Sequence, residues 1–165
     1  MNKLAYVLFA LASLGVASAQ KVAVINSQKA VLDTDEIKKA QVDLETKFKP
    51  RQDKLVQLQK DLQNINAQLQ SGKLNALGEQ ELTAEGQKKQ RELQRMQQDL
   101  QDDVNAERND ILQRSGTRMQ EVVKKMAEEK GLDIVVDTTN TVYYKAAFDL
   151  TADAVAAYNK AYPVK

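Results

Sequence analysis

IKKAQVDLETKFKPRQDKLVQLQKDLQNINAQL, residues 37–69, decides the fold. Its apolar residues Ile37, Leu44, Phe48, Leu55, Leu58, Leu62, Ile65 and Leu69 fall on a ladder of alternating four- and three-residue steps. Gln41 and Arg51 take the two rungs that are out of character. The pattern is the a/d seam of a coiled coil, sustained over several heptads. The remaining residues are mostly Gln, Lys, Glu and Asp, so only the seam has surface worth burying. Asp33 with Glu36 three residues later reads as a capping box that starts the helix.

Outward from this stretch, SGKLNALG at residues 71–78 is the only turn-like segment of the long helical region, bracketed by Gly72 and Gly78. Leu82, Leu93, Met96 and Leu100 then resume a seam. Two helices of similar length joined by a short break fold back antiparallel. A helix of about 40 residues is about 60 Å long, so residues 34–130 read as a thin arm with its tip near residues 72–80. After Leu100 the seam changes phase and continues as Val104, Ile111, Met119, Val122 and Met126. Leu100, Ile111 and Val122 are 11 apart, the spacing that unwinds a left-handed supercoil. Folding the hairpin about residues 75–77 sets Pro50 opposite residues 100–104. Pro50 is therefore either a bend at the height of the phase change or the first residue of a new helix. Gly116, after Ser115, is a second candidate hinge.

The chain ends supply the rest. Residues 1–19 read as a secretory signal: Lys3, an apolar run from Leu4 to Val16, and Ala17-Ser18-Ala19 as a cleavage site after Ala19. The run is too short to span a membrane, which needs about 20 residues. Residues 20–33 hold a short β-branched strand, KVAVIN at residues 21–26, and a short helix for which Ser27 is a plausible cap. Gly131 suits a helix C-cap. Beyond it, residues 132–137 and 142–145 predict a β-hairpin, and Thr151 caps a last helix that carries Val155, Tyr158 and Tyr162 on one face and ends at Pro163. The fold class is α+β, mostly α: a coiled-coil arm on a small β body assembled from both chain ends. Such a body is marginal alone and leaves strand edges open. A small cyclic homo-oligomer is the expected remedy.

Composition narrows function. The chain has 24 Lys and Arg, 23 Asp and Glu, and neither His nor Cys. Lys3 is the one charged residue of the leader, so the mature chain is neutral, with no electrostatic footprint for nucleic acid. Without Cys there are no disulfides, thiol nucleophiles or Cys-type zinc sites. Without His the commonest general base is missing. No phosphate loop, nucleophile elbow or metal motif is present, so neither enzyme chemistry nor a cofactor is expected. Asp99, Asp102 and Asp103 read as a solvated face. Tyr143 and Tyr144 read as core or cross-strand packing rather than a binding pair. Lys88, Lys89 and Arg91 form the one local basic patch, a candidate lipid contact, though Glu79, Glu81, Glu85 and Glu92 surround it.

Several segments together resemble the Skp (OmpH-like) family of periplasmic chaperones: the leader, KVAVINSQKAVLDT at 21–34, FKPRQDKL at 48–55, GLDIVVDTTNTVYY at 131–144 and DLTADAV at 149–155. The resemblance implies a homotrimer with a β-barrel body and three helical arms. The arms would enclose unfolded outer-membrane β-barrel proteins in the periplasm without ATP. Client contacts would spread over the inner arm surface, with no single residue transferable. Well-known members are strongly basic and this chain is not, so a lipopolysaccharide site near Lys73 and residues 88–91 is not carried over. The alternative reading is a structural coiled-coil spacer or scaffold of the cell envelope.

Overall fold

The computed structural model describes residues 20–164; the expected leader at residues 1–19 lies outside them. The element order is β1 (Val22–Ile25), α1 (Ser27–Leu32), α2 (Asp35–Gln70), α3 (Ala76–Lys130), β2 (Ile134–Asp137) and α4 (Thr151–Ala161). β1 and β2 pair in parallel, Val22 opposite Ile134 and Ile25 opposite Asp137. Parallel neighbours need a crossover connection, and here α1, α2 and α3 together are that crossover. The body is built from both chain ends because the arm is the link between its two strands.

Local chemistry sets the boundaries. Asn26, not Ser27, caps α1: its Oδ1 accepts from Lys29 N at 2.8 Å. Thr34 caps α2, and Glu36 does not close a capping box. The wholly buried Thr34 hydroxyl accepts from Ile37 N at 3.3 Å and donates to Val31 O at 2.8 Å. Asn75 caps α3 by accepting from Gly78 N at 2.8 Å, so Gly78 lies in the first turn of α3 rather than beyond the arm's turn. α3 ends at Gly131, whose φ of 61° is left-handed. There Leu132 N donates back to Ala127 O at 2.8 Å.

The core lies where β1, α1, the last turns of α3 and α4 meet. Ile25, Ala30, Met119, Val122, Met126, Ala154 and Tyr158 form it. Met119, Val122 and Met126, which continue the seam in sequence, therefore pack into the body core. α3 overruns α2 by these turns and so roots the arm in the body.

The predicted β-hairpin does not form. β1 lies between β2 and residues 149–150, where Leu150 N donates to Val24 O at 2.9 Å and Asp149 bridges to Val24. To reach that edge the chain must leave β2 and cross to the far side of β1. Asp137 starts the departure: its Oδ1 accepts from Thr139 N and Oγ1 at 2.8 and 2.7 Å, capping a 3-10 turn at Thr138–Asn140. Residues 142–145 form no strand, Val142 is fully exposed and Tyr143 is 79% exposed. The packing expected of Tyr143 is therefore not made within one chain. Thr151 also differs from expectation. Asp149 Oδ1 accepts from Thr151 N at 2.9 Å, and the Thr151 hydroxyl accepts from Asn26 N at 2.9 Å. Thr151 ties α4 to the end of β1 instead of capping its own helix.

Candidate functional site

The arm is two helices in antiparallel contact. Phe48, Leu58 and Ile65 of α2 and Leu93 of α3 are its buried rungs. Ion pairs across the two helices fix the register: Lys47 with Glu107 at 2.5 Å, Arg51 with Asp103 at 2.5 Å, Lys54 with Glu92 at 3.5 Å, and Lys89 with Asp61 at 3.1 Å. Most of these side chains are at least one-third exposed, so each pair contributes at most about 1 kcal/mol. Their value is geometric: they prevent slippage of a thin seam. Arg51, out of character as a rung, places its guanidinium 5.8 Å from the Phe48 ring centroid.

Pro50 lies inside α2, which runs unbroken from Asp35 to Gln70, so it is not a helix boundary. Its ring is exposed, between the Lys47–Glu107 and Arg51–Asp103 pairs. Lacking an N–H, Pro50 leaves the Thr46 carbonyl without its helical donor. Gly116 likewise lies inside an unbroken α3.

Burial along α3 shows the phase change. Leu82, Gly86, Lys89, Leu93, Met96 and Leu100 face inward with heptad steps; from Leu100 the shielded positions advance through Val104, Ile111, Ser115 and Val122 with the longer period. α2 answers near its start, where the rung is the half-buried Ala40 while Gln41 is exposed. A gap between the two helices lies at Ala40–Leu44 and Arg108–Leu112. Cavities of about 280 and 320 Å³ open on the two faces of this gap, sharing Ala40, Leu44 and Ile111.

Next to the gap lies the arm root. The Tyr158 hydroxyl of α4 donates to the Glu36 carboxylate of α2. Arg118 of α3 donates to both Glu36 oxygens at 2.9 and 3.0 Å, and Arg114 Nε stands 3.5 Å away. The Glu36 side chain is only 15% exposed. Burial works against its charge, but the hydrogen bonds from Tyr158 and Arg118 and the two guanidiniums outweigh it, leaving the carboxyl below its ordinary range. Around this centre Asp35 N donates to Asn159 Oδ1 at 3.0 Å, and Arg118 sits 4.7 Å over the Tyr162 ring. α4 is thus a strut clamped to both arm helices. Ser115 is wholly buried beside it, its hydroxyl without a partner among the described residues.

Near the tip, the expected basic patch is divided. Lys89 turns toward Asp61 of α2, 3.1 Å away, with Glu85 of its own helix at 3.8 Å. The hydrogen bond to Asp61 raises its pKa against the opposing effect of desolvation. Lys88 and Arg91 stay exposed, without an ion pair among the described residues. The helices approach closely here because Gly86 has no side chain: a Cβ would meet Ile65 Cγ2 at 3.2 Å. Asp102 and Asp103 hydrogen-bond to Gln98 and Arg51 on the solvated surface. Among the described residues no group of three or more acidic side chains is placed to hold a metal.

Sequence reading passed over the Glu36 centre because a glutamate in a first helical turn has a sufficient local explanation. Tyr158, on the apolar face of the last helix, was the one available signal. A buried tyrosine needs a partner for its hydroxyl, and Glu36 is that partner.

Three comparisons bear on this geometry. The family model described as outer membrane protein (OmpH-like) matches residues 21–158. A Skp-like protein of Pseudomonas aeruginosa is 27% identical over 142 residues, covering 85% of this chain and 84% of that protein. The chaperone protein Skp of Salmonella typhimurium is 31% identical over 143 residues, covering 84% and 86%. An OmpH-like crystal structure from Caulobacter crescentus superposes with a TM-score of 0.77 over 90% of this chain and 89% of that one, at 19% identity. That likeness speaks to the fold: a long helical hairpin on a small two-stranded body.

Proposed function

The chain belongs to the OmpH-like outer membrane protein family, and from that premise we propose that it is an ATP-independent periplasmic holdase for unfolded outer-membrane β-barrel proteins. The observation that carries this reading is the family match itself, which runs through body and arm alike from residue 21 to 158. Relatives that match over most of their length are named as chaperones. The mechanism is physical. An unfolded β-barrel protein exposes strand edges and alternating apolar side chains that aggregate when copies meet. Arms about 55 Å long, the length of α2 at about 1.5 Å per residue, hold such a chain by many weak contacts and keep other copies away.

The working unit in this proposal is a homotrimer joined through the bodies. Val142, Tyr143 and Phe148 are exposed apolar groups beside β1, and β2 has a free edge; neighbouring copies would cover both. Export by the leader, cut after Ala19, places the trimer in the periplasm. Pro50 and Gly116 are the proposed flexible points. A plain envelope spacer would need the seam but not the α4 strut, which favours the chaperone reading. Lipid contact would fall to Lys88 and Arg91 alone, since Lys89 is engaged with Asp61.

The test is a mass measurement. Residues from Gln20 onward are mixed with a urea-unfolded outer-membrane β-barrel protein, the urea is removed without ATP, and the sample is separated with multi-angle scattering. The expected species is soluble, with three copies of this chain around one client. A client that precipitates and leaves this chain alone in solution overturns the proposal.

A further inference from the structure

The gap at the arm root has two unlike mouths. One is rimmed by ion pairs: Lys39 with Asp43 at 2.8 Å, Lys47 with Glu107 at 2.5 Å, and Arg114 with Asp110 at 3.3 Å. The other is a crevice of about 280 Å³ between α1, α2 and α3. Its floor is Ala40, Leu44 and Ile111, and Leu32 and Leu112 are its walls. Leu32 is 39% exposed there. The polar residues at this mouth are Gln41 and Arg108.

Among the described residues, Arg108 is the one cation lining this crevice, and it is unpaired. It makes no ion pair or hydrogen bond with any described residue, whereas the cations across the gap are paired. Its helical neighbours three and four positions away are Val104, Asn105, Ile111 and Leu112, none acidic. Glu45, at the same height on α2, forms no ion pair with it. An apolar floor with one open guanidinium at its rim is complementary to an apolar side chain with a carboxylate close by.

We propose that this crevice is a docking subsite for an extended segment of an unfolded client, seating one aliphatic or aromatic side chain on Ala40 and Ile111 and a carboxylate two residues along on Arg108. In an extended chain those two side chains point to the same side. The proposal rests on the chaperone reading above and gives it a local anchor. The opening lies at the height where the seams of α2 and α3 change phase.

The probes are two amidated, fluorescein-labelled peptides, one carrying Leu-Thr-Asp and one Leu-Thr-Asn in an otherwise identical Gly/Ser chain, titrated against the full mature protein by anisotropy. The wild type is expected to bind the Asp peptide about threefold more tightly, with the preference fading in salt. Arg108→Ala should erase the preference and leave the Asn peptide unchanged. Ala40→Leu, which fills the floor, should weaken both peptides about tenfold. Arg108 is exposed, so its variant keeps the test valid even where Ala40→Leu misfolds. Equal binding of the two peptides by the wild type, or an unchanged preference in Arg108→Ala, overturns the proposal. Wild type that binds neither peptide yet still keeps an unfolded β-barrel protein soluble overturns the subsite and spares the chaperone reading. Should a second copy fill the crevice, neither peptide binds and Arg108→Ala alters the mass in solution, which also overturns it.

Discussion

At the root, three helices meet around Glu36, a charge shielded from water and satisfied by Tyr158 and Arg118. Farther out, around Leu58 and Leu93, only two helices touch and the charges beside them lie largely in solvent. Both regions are helical, and both bury apolar side chains. They differ in what a single change can undo. A buried charge held by several donors is costly to strand, whereas a surface pair is cheap to lose. The root is therefore the fixed end of the arm, and the outer hairpin is free to bend without unfolding the body.

The largest test of this contrast is Tyr158→Ala. It removes a fully buried ring and leaves Glu36 one donor short, and we expect a loss of about 3–5 kcal/mol, read as a shift in the urea midpoint. Leu58→Ala in the arm should cost about 2–3 kcal/mol, at the low end for a core leucine. Equal losses would break the distinction. Tyr158→Phe isolates the hydrogen bond and should cost about 2 kcal/mol.

Acid should separate the regions next. Glu36 and Asp137 are both held below their ordinary pKa. For Asp137 the cause is hydrogen bonds from Ser27 and Thr139; for Glu36 it is the Tyr158 and Arg118 bonds acting against burial. A depressed folded-state pKa adds stability that is complete above the unfolded value, about 4, and is lost as pH falls through the folded value. Near-ultraviolet dichroism of the body tyrosines should therefore fade below about pH 4. If it persists to pH 2 with an unchanged urea midpoint, those carboxylates do not anchor the root.

Pro50 sharpens the mechanical side. The chain lacks Cys, so Leu74→Cys permits one spin label at each arm tip. In Pro50→Ala the tip-to-tip distance distribution should narrow, because the helix regains a hydrogen bond. An unchanged width removes Pro50 as a hinge. The two mid-helix glycines should give smaller effects. A Cβ at Gly116 would meet nothing within 4 Å, so Gly116→Ala should stabilise by about 0.5–1 kcal/mol. In Gly86→Ala the same gain is offset by the 3.2 Å contact with Ile65, and little change is expected.

The regions also differ in how far the sequence reveals them. The outer arm is legible because one period of apolar residues dominates it, and Leu55 to Leu69 sit where the heptad puts them. The root is less so. Ala40 displaces Gln41 as a rung because the phase change in α3 forces one in α2, and a single-helix pattern carries no information about its partner. Met119, Val122 and Met126 continue the arithmetic of the seam yet pack on α1 and α4, since periodicity reports burial and not the identity of the neighbour. Residues 142–145 have strand composition, but the available edge of β1 is taken by residues 149–150. Glu36 was hidden by a good local explanation, and its real partner is 122 residues away.

Whether the arms hold unfolded protein on a fixed root is read by kinetic light scattering. A urea-unfolded outer-membrane β-barrel protein is diluted without ATP into buffer containing the chain from Gln20 onward. Scattering should stay near its starting level once this chain is in threefold excess, and Tyr158→Ala should lose that protection while Arg51→Ala keeps it. Scattering that climbs as fast as in buffer alone would contradict the account.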